Sequence, residues 1–127
     1  MTPIEKHTAL VKETALRLGF DYCGISKAEK LEDDERRLAD FLNKGYNGKL
    51  AYLENWFDKR VDPTLLVPGA KSVVVLMLNY YPAEKQRADA PQVAKYAYGK
   101  DYHLVIRNKL NEFFEILREQ IGEINGR

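Results

Sequence analysis

The sequence predicts an α/β layered sandwich, a mixed sheet flanked by helices. Three observations predict it. Two long segments carry apolar residues at helical spacing and begin at clear capping signals, Thr2 and Asp101. Between them runs Val73-Val74-Val75-Leu76-Met77-Leu78, a β-branched apolar stretch short enough for a strand and too short for a core helix. Glycines and prolines punctuate these segments, so that helices and strands alternate in the manner of a layered domain. No internal repeat, low-complexity tract or interdomain linker interrupts the pattern.

Thr2 to Leu18 reads as the first helix. Thr2 can cap it, Pro3 suits the first helical position, and Glu5 stands three residues after the cap. Ile4, Val11, Ala15 and Leu18 form one apolar stripe, and Gly19 stops the helix. Phe20 to Ser26 follows as a strand, with Tyr22, Gly24 and Ser26 on one side and Cys23 and Ile25 on the other. A second helix runs from Ala28 to Lys44, burying Leu31, Leu38, Phe41 and Leu42 and leaving Glu32 to Arg37 as a charged outer face. Gly45 ends it.

Lys49 to Trp56 is a short helical stretch with Leu50, Leu53 and Trp56 directed to the core. Asp58 to Gly69 reads as a connector, with Pro63 and Pro68 bracketing an apolar turn. Ser72 to Tyr80 is a strand buried on both faces and stopped by Pro82. Ala83 to Gln92 is polar, contains Pro91, and reads as an exposed loop. Val93 to Tyr98 is expected to be a further strand turning at Gly99. Asp101 then caps a long helix carrying Leu104, Val105, Leu110, Phe113, Phe114, Leu117 and Ile121.

The 127 residues are enough for one compact domain, and 45% hydrophobic with 31% charged residues excludes a disordered chain. The longest apolar run cannot span a bilayer, and the charge throughout Thr2 to Arg17 excludes a secretory signal there. The expectation is a soluble cytoplasmic protein. A net charge of +1 gives no general attraction to nucleic acid or membrane, although a local basic patch needs no net charge. Cys23 is the only cysteine, so this chain can hold neither an internal disulfide nor an iron–sulfur cluster, which takes about four thiolates.

Three places carry residue types suited to chemistry. In Asp58-Lys59-Arg60-Val61-Asp62-Pro63, Arg60 can grip a carboxylate or phosphate by paired hydrogen bonds, or simply pair with Asp58 or Asp62 in an exposed turn. Leu78-Asn79-Tyr80-Tyr81-Pro82 lies at the carboxyl end of the most apolar strand, where α/β sheets gather ligands. Its tyrosines can instead cap the core. The densest group is Lys95 to His103, with three tyrosines, two lysines, Asp101 and His103 around Gly99. It reads either as a polar-aromatic cleft at a helix N-terminus or as a packed corner. His7 falls on the polar side of its helix. No second ligand stands at metal-binding spacing from His103, so no metal site is expected, and there is no P-loop, dinucleotide glycine pattern or nucleophile elbow.

The order of the segments adds a resemblance. Leu18-Gly19-Phe20-Asp21-x-x-Gly24-Ile25, then Lys59-Arg60-x-Asp62-Pro63-x-x-Leu66-x-Pro68-Gly69-Ala70-Lys71-Ser72-Val73, then Asn79-Tyr80-Tyr81-Pro82, and finally Tyr96-Ala97-x-Gly99-Lys100-Asp101-Tyr102-His103 occur in that sequence. Together they resemble the epoxyqueuosine reductases, over nearly the whole chain. A looser match is the turn Gly45-Tyr46-Asn47-Gly48.

The resemblance implies that residues 1–127 form the N-terminal part of a cobalamin-binding domain, with a ferredoxin-like C-terminal part absent. Such enzymes reduce the epoxide of epoxyqueuosine in tRNA to the alkene of queuosine, with cobalamin and two 4Fe-4S clusters. On this resemblance Arg60 contacts the cobalamin, and the backbone at Ala94 lies against the corrin where some relatives carry cysteine or serine. Tyr96, Asp101, Tyr102 and His103 shape the corrin or substrate cleft. The general-acid aspartate of the family is expected beyond Arg127, so no catalytic residue is assigned here and the chain alone is expected to be inactive. The implied partner is a tRNA substrate, with no membrane and no obligate protein partner. The alternatives are a corrinoid-binding module without reductase chemistry, a reductive-dehalogenase-like cobalamin protein, and a plain interaction domain.

Overall fold

A computed structural model describes all of residues 1–127. The order of elements is α1 (Pro3–Arg17), β1 (Tyr22–Lys27), α2 (Glu32–Asn43), a 3-10 turn (Ala51–Glu54), α3 (Phe57–Val61), α4 (Pro63–Leu66), β2 (Ser72–Met77), a second 3-10 turn (Lys95–Ala97) and α5 (Tyr102–Ile121). Helices and strands mix as the α/β class requires. The sheet has two strands, β1 and β2. They are antiparallel, because Asp21 N–H donates to the Met77 carbonyl at 2.8 Å while Ala28 N–H donates to the Lys71 carbonyl at 3.0 Å. The chain divides into two compact units, residues 1–24 with 75–124, and residues 25–74 with 125–127.

The first unit is built on α1 and α5. The α1 start is the reciprocal cap its sequence encodes: Thr2 Oγ1 accepts from Glu5 N–H at 3.2 Å, and Glu5 Oε2 accepts from Thr2 N–H at 2.7 Å. The core gathers Ala15, Phe20, Cys23, Phe113 and Leu117, with Leu10, Val11, Leu18, Leu76, Leu78 and Leu110 packed around them. Ile4, expected in the apolar stripe, is 78% exposed. It sits in the first turn of α1, while burial begins further along the helix, at Thr14 and Ala15. Leu104, in the first turn of α5, is likewise exposed, and α5 buries Phe113 and Leu117 instead. The end of α1 is closed from a distance: Lys109 Nζ donates to the Leu18 carbonyl at 2.6 Å.

Val93 to Tyr98 is no strand. Ala97 N–H donates to the Ala94 carbonyl at 3.0 Å and Tyr98 N–H to the Lys95 carbonyl at 3.1 Å, which closes a 3-10 turn. Local i to i+3 bonds have taken the place of a sheet ladder. The burial expected on both faces of β2 is also corrected, since Val75 is 52% and Met77 58% exposed. β2 has one hydrogen-bonded neighbour, β1, and only Val73 and Leu76 are half-buried.

In the second unit, α2 starts four residues later than the periodicity suggests. Ala28 N–H is spent on Lys71 and Leu31 N–H on the Val61 carbonyl at 2.7 Å, so neither belongs to the helix. The outer face of α2 carries the ion pairs Arg36–Asp33, Arg37–Asp34 at 3.0 Å and Lys44–Asp40 at 2.8 Å, all exposed. Gly45, with φ of +69°, turns the chain out of α2 at the position that favours a residue without a Cβ.

The expected connector Asp58 to Gly69 folds into α3 and α4. Asp62 is the reason: its Oδ1 accepts from Thr64 N–H at 3.0 Å and from Thr64 Oγ1 at 2.6 Å, and Pro63 takes the first helical position. The first of the two prolines thus stands at a helix start inside the expected connector. Leu50 and Trp56, expected in the core, are exposed, Trp56 by 70%. Trp56 has φ of +57°, the one non-glycine residue in the left-handed region, and it separates the first 3-10 turn from α3.

Candidate functional site

The residues singled out at the end of β2 and before α5 come together in the first unit. The rings of Tyr80 and Tyr96 meet edge to face at 6.4 Å, and those of Tyr96 and Tyr102 at 6.3 Å. The Tyr102 ring stacks on His103 at 4.0 Å. These tyrosines, with Leu78, Asn79 and Ile106, line an open and mainly apolar cavity of about 260 Å³. Beside it, Lys95 Nζ lies 4.1 Å above the Tyr81 ring.

Asn79 is fixed by two bonds. Its N–H donates to Asp21 Oδ2 at 2.6 Å, and its Oδ1 accepts from Tyr81 N–H at 3.0 Å. With the amide oxygen engaged, the Nδ2 group is the donor it offers to the cavity it lines. The Asp21 contact, 58 residues away in sequence, was not anticipated. Asp21 stood inside a quoted motif, but nothing in its neighbours pointed to Asn79.

Asp101 caps α5 as its sequence predicts, Oδ1 accepting from His103 N–H at 2.9 Å. The same oxygen lies 2.8 Å from His103 Nδ1. The backbone N–H of His103, and after it the imidazole, hold the Asp101 carboxyl below the ordinary carboxylate range. Gly99, with φ of +70°, makes the turn between Tyr98 and this cap. Ala94 is exposed, in extended conformation just ahead of the 3-10 turn, so its backbone is accessible from outside.

Arg60 belongs to the second unit and lies on α3. Its Nε donates to the Asn55 carbonyl and its Nη2 to the Tyr52 carbonyl, each at 2.9 Å. Neither Asp58 nor Asp62 is its partner, so the local ion pair considered from sequence is replaced by backbone bonds. Two donors are thereby committed, and Nη1 makes no hydrogen bond within the chain. No group of His, Cys, Asp and Glu is gathered in a way that could hold a metal ion. No helix is long and apolar enough to cross a membrane. Cys23 is buried, and desolvation pushes its thiol above the usual range against a smaller opposing effect of Lys12.

Gln86 is the residue sequence reasoning missed altogether. It lies in the loop after Pro82 and reaches Tyr98 Oη at 2.9 Å. No pattern in a polar loop distinguishes one glutamine from its neighbours.

The chain is similar to known proteins in sequence and fold. The family model for epoxyqueuosine reductase QueG, DUF1730, matches residues 60–127. An epoxyqueuosine reductase of Cyclobacterium marinum is 57% identical over 129 aligned positions, which take in all of this chain and 42% of that protein. A crystal structure of selenomethionine-labelled epoxyqueuosine reductase superposes with a TM-score of 0.79 at 30% identity, covering 96% of this chain and 34% of the other. A second, of epoxyqueuosine reductase with an epoxyqueuosine-modified stem loop of tyrosine tRNA, gives 0.75 at 30% identity over 91% of this chain and 32% of the other. The chain thus spans about 42% of the length of its curated relative. More than half of its residues match the family model, and the whole of it aligns with a family member: this chain belongs to the epoxyqueuosine reductase QueG, DUF1730 family.

Proposed function

We propose that this chain supplies the N-terminal part of the cobalamin-binding domain of an epoxyqueuosine reductase, which converts the epoxide of epoxyqueuosine in tRNA to queuosine. The observation that carries the reading is the tyrosine-walled cavity between Leu78 and Ile106, in a chain of this family. Rings of Tyr80, Tyr96 and Tyr102 offer apolar surface with hydroxyls at its edge, the chemistry that suits a planar macrocycle bearing polar arms. About 260 Å³ is small even for a drug-sized ligand, so the cavity takes one edge of the ring and this chain is part of a larger wall.

Cobalamin, when bound, supplies the redox chemistry of the reaction. The residues here bind and orient. Tyr96 and Tyr102 would pack against the cofactor, Asn79 would offer its side-chain amide as a donor, and Ala94, exposed just ahead of the 3-10 turn, would lie close to it. Asp101 and His103 keep the first turn of α5 in place beneath Tyr102. Arg60, whose Nη1 is not used by the bonds to Asn55 and Tyr52, would donate to an amide or phosphate oxygen of the cofactor. Going from epoxide to alkene takes two electrons and two protons and releases the oxygen as water. The electrons would come from 4Fe-4S clusters of the full-length protein, one proton from an aspartate of that protein acting as general acid, and the other from solvent. A tRNA substrate makes the reaction cytoplasmic.

Titrating the chain with cobalamin and following the corrin absorbance tests the binding role, and a shift that saturates at one equivalent is expected. The full-length parent should then turn over epoxyqueuosine tRNA and leave haloorganic compounds untouched. Binding without tRNA turnover would replace the reading with a corrinoid-binding module, and dehalogenation would replace it with a dehalogenase-like enzyme. No binding by either protein would leave a plain interaction domain.

A further inference from the structure

We propose that Gln86 is a positioning residue for the tyrosine wall, acting through the backbone that carries Tyr96. The proposal rests on the reading above for what the wall binds. The placement of the wall is a matter of geometry alone.

Gln86 is half-buried, and its side-chain amide makes three hydrogen bonds. Oε1 accepts from Val93 N–H at 2.7 Å and from Tyr98 Oη at 2.9 Å, and Nε2 donates to the Pro91 carbonyl at 3.3 Å. One oxygen therefore grips both ends of the segment from Val93 to Tyr98. That segment holds Ala94 and the 3-10 turn from which the Tyr96 ring projects.

Apart from the Lys95 ammonium over the Tyr81 ring, little else fixes it. Its internal bonds are the two i to i+3 contacts of the turn, it has no strand partner, and Tyr96 is itself exposed. The Tyr96 ring touches Tyr80 and Tyr102 only edge-on, a contact that depends on where the backbone puts it. Gln92, six residues on, differs in kind. Its Nε2 donates to the carbonyls of Arg87 and Ala90, at 3.0 and 2.8 Å, and so ties the loop to itself. Gln86 ties the loop to the wall.

The chemistry gives a clean pair of variants. In Gln86→Leu the side chain accepts nothing, so Val93 N–H and Tyr98 Oη lose their partner. In Gln86→Glu a carboxylate still accepts from both and only the bond to Pro91 is lost. Both are made in the 127-residue chain and read by amide hydrogen exchange at Val93 and by proton NOEs from the Tyr96 ring to Tyr80 and Tyr102.

Gln86→Leu should speed exchange at Val93 about tenfold or more and erase the Tyr96 NOEs, while the core α1–α5 amides stay protected. Gln86→Glu should restore both readings. Cobalamin affinity should fall about tenfold in Gln86→Leu and hold in Gln86→Glu, because the wall is reordered only in the second. Should the leucine variant unfold, Tyr98→Phe removes the hydroxyl alone and repeats the NOE test. Unchanged NOEs in Gln86→Leu, or NOEs lost equally in Gln86→Glu, would overturn the positioning role. If the unaltered chain binds no cobalamin, the corrin reading falls by itself, and the tyrosine NOEs still decide the case of Gln86.

Discussion

Asp101 Oδ1 sits 2.9 Å from the backbone nitrogen of His103 and 2.8 Å from its ring Nδ1, so one carboxylate oxygen caps α5 and orients the imidazole. An ionised carboxylate only accepts, which places the proton on Nδ1 and leaves Nε2 as the free ring nitrogen whenever His103 is neutral. The imidazole then lies against Tyr102, and the cap becomes part of the wall.

The first prediction concerns acid. Bonds from His103 hold the folded pKa of Asp101 below its unfolded value, so the cap contributes stability above the ordinary carboxylate range and loses it as pH falls through the lowered value. In a carboxyl NMR titration Asp101 should protonate below the ordinary aspartate range, and the His103 amide should shift with it. Asp101→Asn keeps an acceptor for that amide and should abolish its acid titration. Titration of Asp101 in the ordinary aspartate range would contradict the geometry.

A second prediction follows from Thr14, fully buried in α1 with a hydroxyl that has no hydrogen-bond partner. Thr14→Val keeps the shape and removes the unsatisfied oxygen. Urea unfolding should show a gain of about 1 kcal/mol, the cost of an unpaired buried hydroxyl. A loss of stability would mean that the hydroxyl has a partner after all.

Lys109 gives a third. Its half-buried ammonium donates to the Leu18 carbonyl, left over at the end of α1, and lies 5.9 Å above the Phe20 ring. Lys109→Met keeps most of the stem and orphans the carbonyl. About 1–2 kcal/mol should be lost, with the unfolding slope unchanged.

Cys23 is expected to be inert. Burial raises its thiol pKa, so less thiolate is present at neutral pH than in a free cysteine. Alkylation of the native chain should run at least about tenfold slower than that of the urea-unfolded chain. Equal rates would show that the strand around Cys23 opens freely.

Tyr96→Ala tests the wall directly. The ring is exposed, so the melting temperature should move by no more than a few degrees, while cobalamin affinity should drop about tenfold or more for the loss of one aromatic face. An affinity unchanged by the substitution would place the cofactor elsewhere.

Much of this was legible in the sequence wherever a local rule decides the structure. The caps at Thr2 and Asp101 form as their spacing requires, because a capping side chain and the amide it serves are neighbours. The family followed from four motifs in order, whereas the meeting of Asn79 and Tyr80 with Tyr96 and Tyr102 did not, because the two segments were read as separate places and only the fold joins them. Misreadings arose where distant or competing partners decide. Val93 to Tyr98 has strand-like residues but closes on itself as a turn. Asp58 to Gly69 reads as a connector because two prolines bracket a short apolar turn, yet Asp62 caps α4 and Pro63 takes its first position. The exposure of Val75, Met77 and Trp56 has no local signature, since periodicity says which residues want burial and not whether anything lies opposite them.

Trp56 shows what such a residue can do for the chain. Asn55 is extended and Trp56 left-handed, and between them they keep the turn at Ala51–Glu54 from running on into α3. The corner they make sets Arg60 over the carbonyls of Asn55 and Tyr52 like a clasp. Glycine would adopt the same angles at lower cost, but only a side chain gives Lys59 the indole face that its ammonium covers at 4.8 Å. A strained hinge and a cation-covered ring thus share one position. Replacing the tryptophan with glycine would ease the backbone and strip the clasp of its cover.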